Sequence, residues 1–143
     1  MYEQFFGFAK TPFGRGLDTK ELFAAQGHQE LISRLRYVAE RRQFGLFTGE
    51  VGSGKSTAAR VLASELNPAK HQVLYLSDSK LTPRNFYWEV LHQLGQVPRF
   101  YRGDAKRQFH RVILDLYEGQ RKTPVIVIDE GHLLSREMLE EIR

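Results

Sequence analysis

Cysteine is absent from all 143 residues. Neither a disulfide framework nor a thiolate metal site can be built, which fits a reducing, cytoplasmic setting. Long apolar runs are also missing: residues 125–128 (Val-Ile-Val-Ile) fall far short of the ~20 residues that a membrane-spanning helix needs. The amino terminus has Glu3 and Lys10 among its phenylalanines, so it lacks the apolar stretch of a secretory signal. No repeat or low-complexity tract occurs. A large excess of one sign of charge is absent as well, with 21 Lys+Arg against 17 Asp+Glu and a formal net charge of +4. Such a modest basic excess permits contact with nucleic acid or an acidic surface without demanding it. What the chain does have is an apolar fraction of 41%, enough for the core of one domain of ordinary size.

The most informative stretch is residues 49–56 (GEVGSGKS), which match the pattern G-x-x-x-x-G-K-[ST] at every fixed position. Gly49, Gly52 and Gly54 allow backbone conformations in which successive N–H groups point at one anion. Glu50, Val51 and Ser53 share the variable positions of the loop with Gly52. Lys55 supplies a point charge for the β- and γ-phosphates, and Ser56 a hydroxyl for Mg2+. Residues 57–66 (TAARVLASEL), beginning at Thr57, read as a helix whose N-terminal end favours negative charge. Residues 44–48 (FGLFT) read as a buried strand leading in, completing the strand, loop and helix order that the motif requires. These residues predict a bound nucleoside triphosphate.

Around this stretch the chain alternates helices and strands. Phe5, Phe6, Phe8 and Phe13, with Gly7, Pro12, Gly14 and Gly16 between them, form a turn-rich lead-in (residues 1–28) without regular periodicity. It reads as a hydrophobic strap over the core, or as a segment in which one ring or Pro12 walls the base pocket of the nucleotide. Within residues 29–42, Leu31, Ile32, Leu35 and Val38 recur at helical spacing. Residues 73–76 (VLYL) read as a second buried strand, ending in the small polar residues Ser77, Asp78 and Ser79. Thr82-Pro83 starts a helix carrying Phe86, Val90, Leu91 and Leu94, which Gly95 stops.

The linker of residues 96–103 contains Arg99, Phe100, Tyr101 and Arg102, which suit stacking and charge contact with nucleic acid, or simply a solvated loop with a tucked ring. Asp104 reads as the cap of the next helix, with Phe109, Val112, Ile113, Leu116 and Tyr117 inward. Residues 125–128, after Thr123-Pro124, read as a central parallel strand followed by Asp129, Glu130, Gly131 and His132. Ser135 caps a last helix with Met138, Leu139 and Ile142 inward.

Mg2+ takes one or two protein oxygens and otherwise waters and phosphates, so Ser56 and Asp129 are the expected pair around it, Asp129 acting through a water. Glu130 is placed to orient or deprotonate a water in line with the γ-phosphate. The competing reading has both acids merely capping the following helix. His132 reads as a loop histidine with its own partner, or as a sensor of phosphates or a neighbouring molecule. The fold class expected is α/β: a P-loop NTPase with a parallel sheet, helices on both faces and the nucleotide at the carboxyl ends of the strands. Three strands are visible, where such a sheet usually needs five.

The loop, the run VIVIDEGH and the opening residues 1–8 (MYEQFFGF) and 11–13 (TPF) together resemble the ExeA/TnsC-like group of AAA+ ATPases. In that group a start of the type M-Y-x-x-F-F-G-F-x-x-x-P-F precedes a helix and T-G-E-V-G-[ST]-G-K-[ST]. The resemblance covers nearly all of residues 1–143, read as the N-terminal part of a single AAA+ domain with residues 29–143 as the nucleotide-binding core. It implies an ATPase that uses ATP/ADP and Mg2+ and forms a homo-oligomeric ring or filament. One branch assembles on double-stranded DNA and regulates a transposase, which is the reading adopted from the sequence. The alternatives are an ATPase that helps assemble a type II secretion pore, as the cytoplasmic domain of an inner-membrane protein, and a non-hydrolysing nucleotide-dependent scaffold.

The group's phosphate loop falls on residues 49–56, its metal-linked acid on Asp129 and its catalytic acid on Glu130, with Lys55 assisting. Where the group often has an asparagine to restrain that glutamate, this chain has Ser77, Asp78 and Ser79. The sensor strand, arginine finger and helical lid are expected beyond Arg143, and an arginine finger contributes ~10^3 to 10^5 in rate.

Overall fold

A computed structural model describes residues 2–9, 18–23, 25–78 and 81–143. Two strands, β1 (His71–Leu76) and β2 (Thr123–Ile128), pair in parallel, from His71 opposite Thr123 to Leu76 opposite Ile128. Side chains alternate between the faces of a strand, and both strands carry apolar residues at consecutive positions, so both faces call for cover. On one face α2 (Gln26–Arg41) and α3 (Lys55–Glu65) bring Leu35, Ala39, Leu62 and Leu66 against Val73 and Val125. The other face carries the main core. There Leu74 and Leu76 meet Phe86, Tyr87, Val90 and Leu91 of α4 (Pro83–Gln93), Ala105 of α5 (Arg102–Leu114) and Met138 of α6 (Arg136–Ile142). The result is an α/β arrangement, a small parallel sheet flanked by helices.

Capping explains several boundaries. Thr82 accepts from the Asn85 N–H with Pro83 in the first turn, and Ser135 accepts from the Met138 N–H. α5 departs from expectation: it begins at Arg102, with Tyr101 in the cap position and no side-chain cap. Asp104 instead sits in the first turn, where its charge suits the helix N-terminus and bonds Arg107 at 2.5 Å. α5 runs on into a π-helical turn (Asp115–Gly119) that buries Leu116. In α6, Met138 is buried but Leu139 faces outward, contrary to the expected inward stripe, because this seven-residue helix turns only part of one face to the core.

The structure departs from three further expectations. Residues 44–48 form no strand: Phe44 is 79% and Leu46 90% exposed, and the segment pairs with no strand among the described residues. A strand is held by its partner's N–H and C=O groups, and apolar composition does not replace them. For the same reason β2, expected as a central strand, pairs with β1 alone among the described residues and is half-buried along its whole length. Beside it lies an apolar groove of about 640 Å³ lined by residues such as Val38, Phe44, Phe47, Val127 and Leu139. The lead-in, expected to be irregular and packed down, contains helix α1 (Tyr2–Phe6), with Phe5 and Phe6 largely exposed and Phe8 also at the surface. Phe6 packs on Phe5 edge-to-face (4.9 Å) and on Phe8 by stacking (5.8 Å), so these rings shield one another instead of the core. Pro12, Phe13, Gly14 and Gly16 lie outside the described residues. No described helix is long and apolar enough to cross a membrane.

Candidate functional site

The loop of residues 49–54 closes onto the N-terminus of α3. Gly52 and Gly54 both have φ of 84°, a left-handed conformation that a side chain strains, and Gly54 is the residue from which the helix starts. The loop is also tight at Gly49, where a Cβ would lie 2.8 Å from Ser53 Oγ. Ser53 N–H donates to Glu50 O at 3.2 Å, while Glu50 and Val51 project into solvent. Lys55 bends back over this turn, its Nζ donating to Gly49 O (2.8 Å) and Glu50 O (2.7 Å). Thr57 is half-buried in the first turn of α3.

One residue past Lys55, the Ser56 hydroxyl donates to Asp129 Oδ2 at 2.7 Å, joining positions 73 residues apart in the chain. The parallel register brings this about. Asp129 follows β2 directly and continues the ladder, its N–H bonding Leu76 O at 2.9 Å, so its carboxylate emerges beside the start of α3. The same Oδ2 accepts from the Tyr75 hydroxyl at 2.6 Å, and Oδ1 accepts from the Glu130 N–H at 2.9 Å. These hydrogen bonds, Tyr75 first and Ser56 next, hold the Asp129 carboxyl below its ordinary range. Burial, and then the hydrogen bond to Asp129, push the Tyr75 hydroxyl up to about 12.

Glu130 adjoins Asp129 in sequence but turns elsewhere. Its backbone is left-handed (φ 54°), and its exposed carboxylate lies 3.3 Å from His132 Nδ1. It stands at the head of the short 3-10 turn (Gly131–Leu133) without capping it by its side chain. His132 therefore has its partner within the loop. Ser77 and Asp78 lie exposed beyond β1, and Ser79 lies outside the described residues.

Two neighbours of the site escaped the sequence reading. Tyr75 looked like one more apolar strand residue, although period-two alternation with the β1/β2 register puts it on the face of Val127 and Asp129. His28, on α2, has a buried Nε2 with no hydrogen-bond partner among the described residues, 3.7 Å from where a Cβ on Gly54 would sit. No local pattern pointed to it.

These residues fit a phosphate and a magnesium ion. Ser56 and Asp129 offer the hard oxygens that Mg2+ prefers, the left-handed glycines open the backbone amides at a helix N-terminus, and His28 leaves a polar atom unmatched beside them. The linker at residues 99–102 is less open to ligand than its composition suggests. Arg102 belongs to α5 and bonds Glu137 (2.6 Å) and Glu141 (2.8 Å). Its rings are not tucked, for Phe100 and Tyr101 are exposed, with the Arg84 guanidinium 4.6 Å over the Phe100 ring.

Residues 36–143 match the AAA domain family. The chain is 31% identical over 148 aligned residues to General secretion pathway protein A of Aeromonas hydrophila. That alignment takes in 100% of the chain and 26% of the relative, so the chain spans about a quarter of the relative's length. No solved structure matches significantly.

Proposed function

Because the chain belongs to the AAA domain family and is a nucleotide-binding protein of that type, we propose that residues 49–57 hold the phosphates of ATP or ADP and that Ser56 and Asp129 hold Mg2+. The observation that carries this reading is the Ser56 to Asp129 contact at 2.7 Å, beside a two-glycine turn at the head of α3. Lys55, already an ammonium donating to two carbonyl oxygens, exchanges them for the β- and γ-phosphates. When bound, Mg2+ supplies charge neutralisation on the phosphate oxygens. Glu130 acts as the group that orients or deprotonates the attacking water, which requires its carboxylate to leave His132. The activity is ATP hydrolysis.

For the wider role, the secretion reading is the better supported, since the relative that aligns over all of this chain is named a general secretion pathway protein. The chain would then power assembly of a secretion pore, acting as a homo-oligomer with secretion-pore proteins as partners. A transposase regulator on duplex DNA has the resemblance of the opening motif and the modest basic excess in its favour, but Arg102, one of the residues that suggested DNA, is paired with acids. Calorimetry with ATP, ADP and Mg2+ tests the core of the proposal, with magnesium-dependent binding as the expected result. Absence of any binding by folded protein removes it. Loss of protein export in cells carrying Lys55→Ala, without ATP-dependent affinity for duplex DNA in filter binding, supports the secretion role over the transposition one.

A further inference from the structure

We propose that Tyr75 is a positioning residue of the nucleotide site, its hydroxyl fixing the Asp129 carboxylate for the magnesium ion. This rests on the reading of Ser56 and Asp129 as the metal-holding pair. Asp129 Oδ2 accepts from both Ser56 Oγ (2.7 Å) and Tyr75 Oη (2.6 Å). A hydroxyl that gives an oxygen lone pair to a cation keeps its proton, so Ser56 holds the ion while still donating to Oδ2, and that oxygen is fixed by a second side-chain donor, Tyr75. It is built to stay. A tyrosine ring has few rotatable bonds, and the Tyr75 backbone is clamped by Gln93 of α4, whose Oε1 accepts from Tyr75 N–H (3.1 Å) and whose Nε2 donates to Tyr75 O (2.8 Å). Gln93 Nε2 is itself held by Glu89 Oε1 at 2.9 Å. Packing alone would be met by phenylalanine at this strand position, so the hydroxyl's role is toward Asp129.

Outer partners that orient the side chains around a metal typically change metal affinity about 10- to 100-fold when removed. The test is Tyr75→Phe, titrated with magnesium at saturating ADP by calorimetry, alongside ADP binding in EDTA. The expected result is a half-saturating magnesium concentration raised about tenfold or more, with metal-free ADP affinity within about twofold of wild type. An unchanged magnesium midpoint overturns the proposal, as does an equal loss of affinity with and without metal, which marks a merely structural role. Gln93→Ala, which loosens the clamp, is expected to move the midpoint the same way by a smaller factor, and carries the test should Tyr75→Phe fail to fold. Wild-type protein that binds no nucleotide at all refutes the nucleotide reading itself, an outcome distinct from a wild-type response that Tyr75→Phe leaves intact.

Discussion

Lys55 Nζ lies 2.8 Å from the carbonyl oxygen of Gly49, so the cation of the loop rests on the loop's own backbone. A triphosphate offers it stronger, charged acceptors in exchange. Hydrogen bonds to charged groups are worth about 1.5–3 kcal/mol, which corresponds to about 10- to 100-fold in affinity. Lys55→Ala is therefore expected to weaken ATP binding by that factor in calorimetry while leaving the urea midpoint close to wild type. Equal affinity in the two proteins contradicts the assignment.

Glu130 is exposed and makes its side-chain contact with His132, so its removal costs the fold little. Glu130→Gln is expected to bind ATP as the wild type does and to hydrolyse it about 10^2- to 10^4-fold more slowly, the usual worth of a positioned acid–base group. Phosphate release under single-turnover conditions measures this. A variant that hydrolyses at the wild-type rate removes Glu130 from the mechanism.

Glu141 joins three helices through Lys106 (2.7 Å), Tyr87 and Arg102 (2.8 Å). Lys106 first, then Tyr87, bring its carboxyl down to about 2 from an ordinary 4.5. The folded-state value lies below the unfolded one, so the stabilisation is complete above 4.5 and is lost as pH falls toward 2. Glu141→Gln should lower stability by about 1–3 kcal/mol at neutral pH. In urea unfolding across a pH series, the gap to wild type should close through that acid window, and a gap independent of pH would speak against the network.

Leu74 is fully buried on the core face of β1, among Phe86, Tyr87, Val90 and Leu91. Truncation leaves a cavity between strand and helix. Leu74→Ala is expected to cost about 2–5 kcal/mol, read as a fall in the urea midpoint. A loss below about 1 kcal/mol would show that this face is not the packed core.

Much of the candidate site was legible because the chemistry proposed for it lies in short, dense signals. The glycines of residues 49–54 with Lys55 and Ser56, and the acids after residues 125–128, announce themselves by identity and spacing. Tyr75 and His28 were not legible, because their roles arise from what stands opposite them across strand or helix, and a hydroxyl on a strand looks the same whether it faces solvent or a carboxylate. The lead-in rings and residues 44–48 misled for a related reason: apolar composition says that a segment gains by burial, but not which surface will cover it.

By itself the sequence determined the local events: helix starts at Thr82 and Ser135, the left-handed turn before α3, the alternation that puts Leu74 and Leu76 on one face of β1 and Val73 and Tyr75 on the other. Each depends on interactions within a few residues, and those are written in neighbouring letters. Only the tertiary structure decided that β1 and β2 pair in parallel register, that Ser56 meets Asp129, that Gln93 grips Tyr75, and that Glu130 turns to His132. The first three of these join residues distant in sequence, and the last depends on the left-handed backbone at Glu130; such geometry is set by how strands and helices pack rather than by the local pattern of the chain.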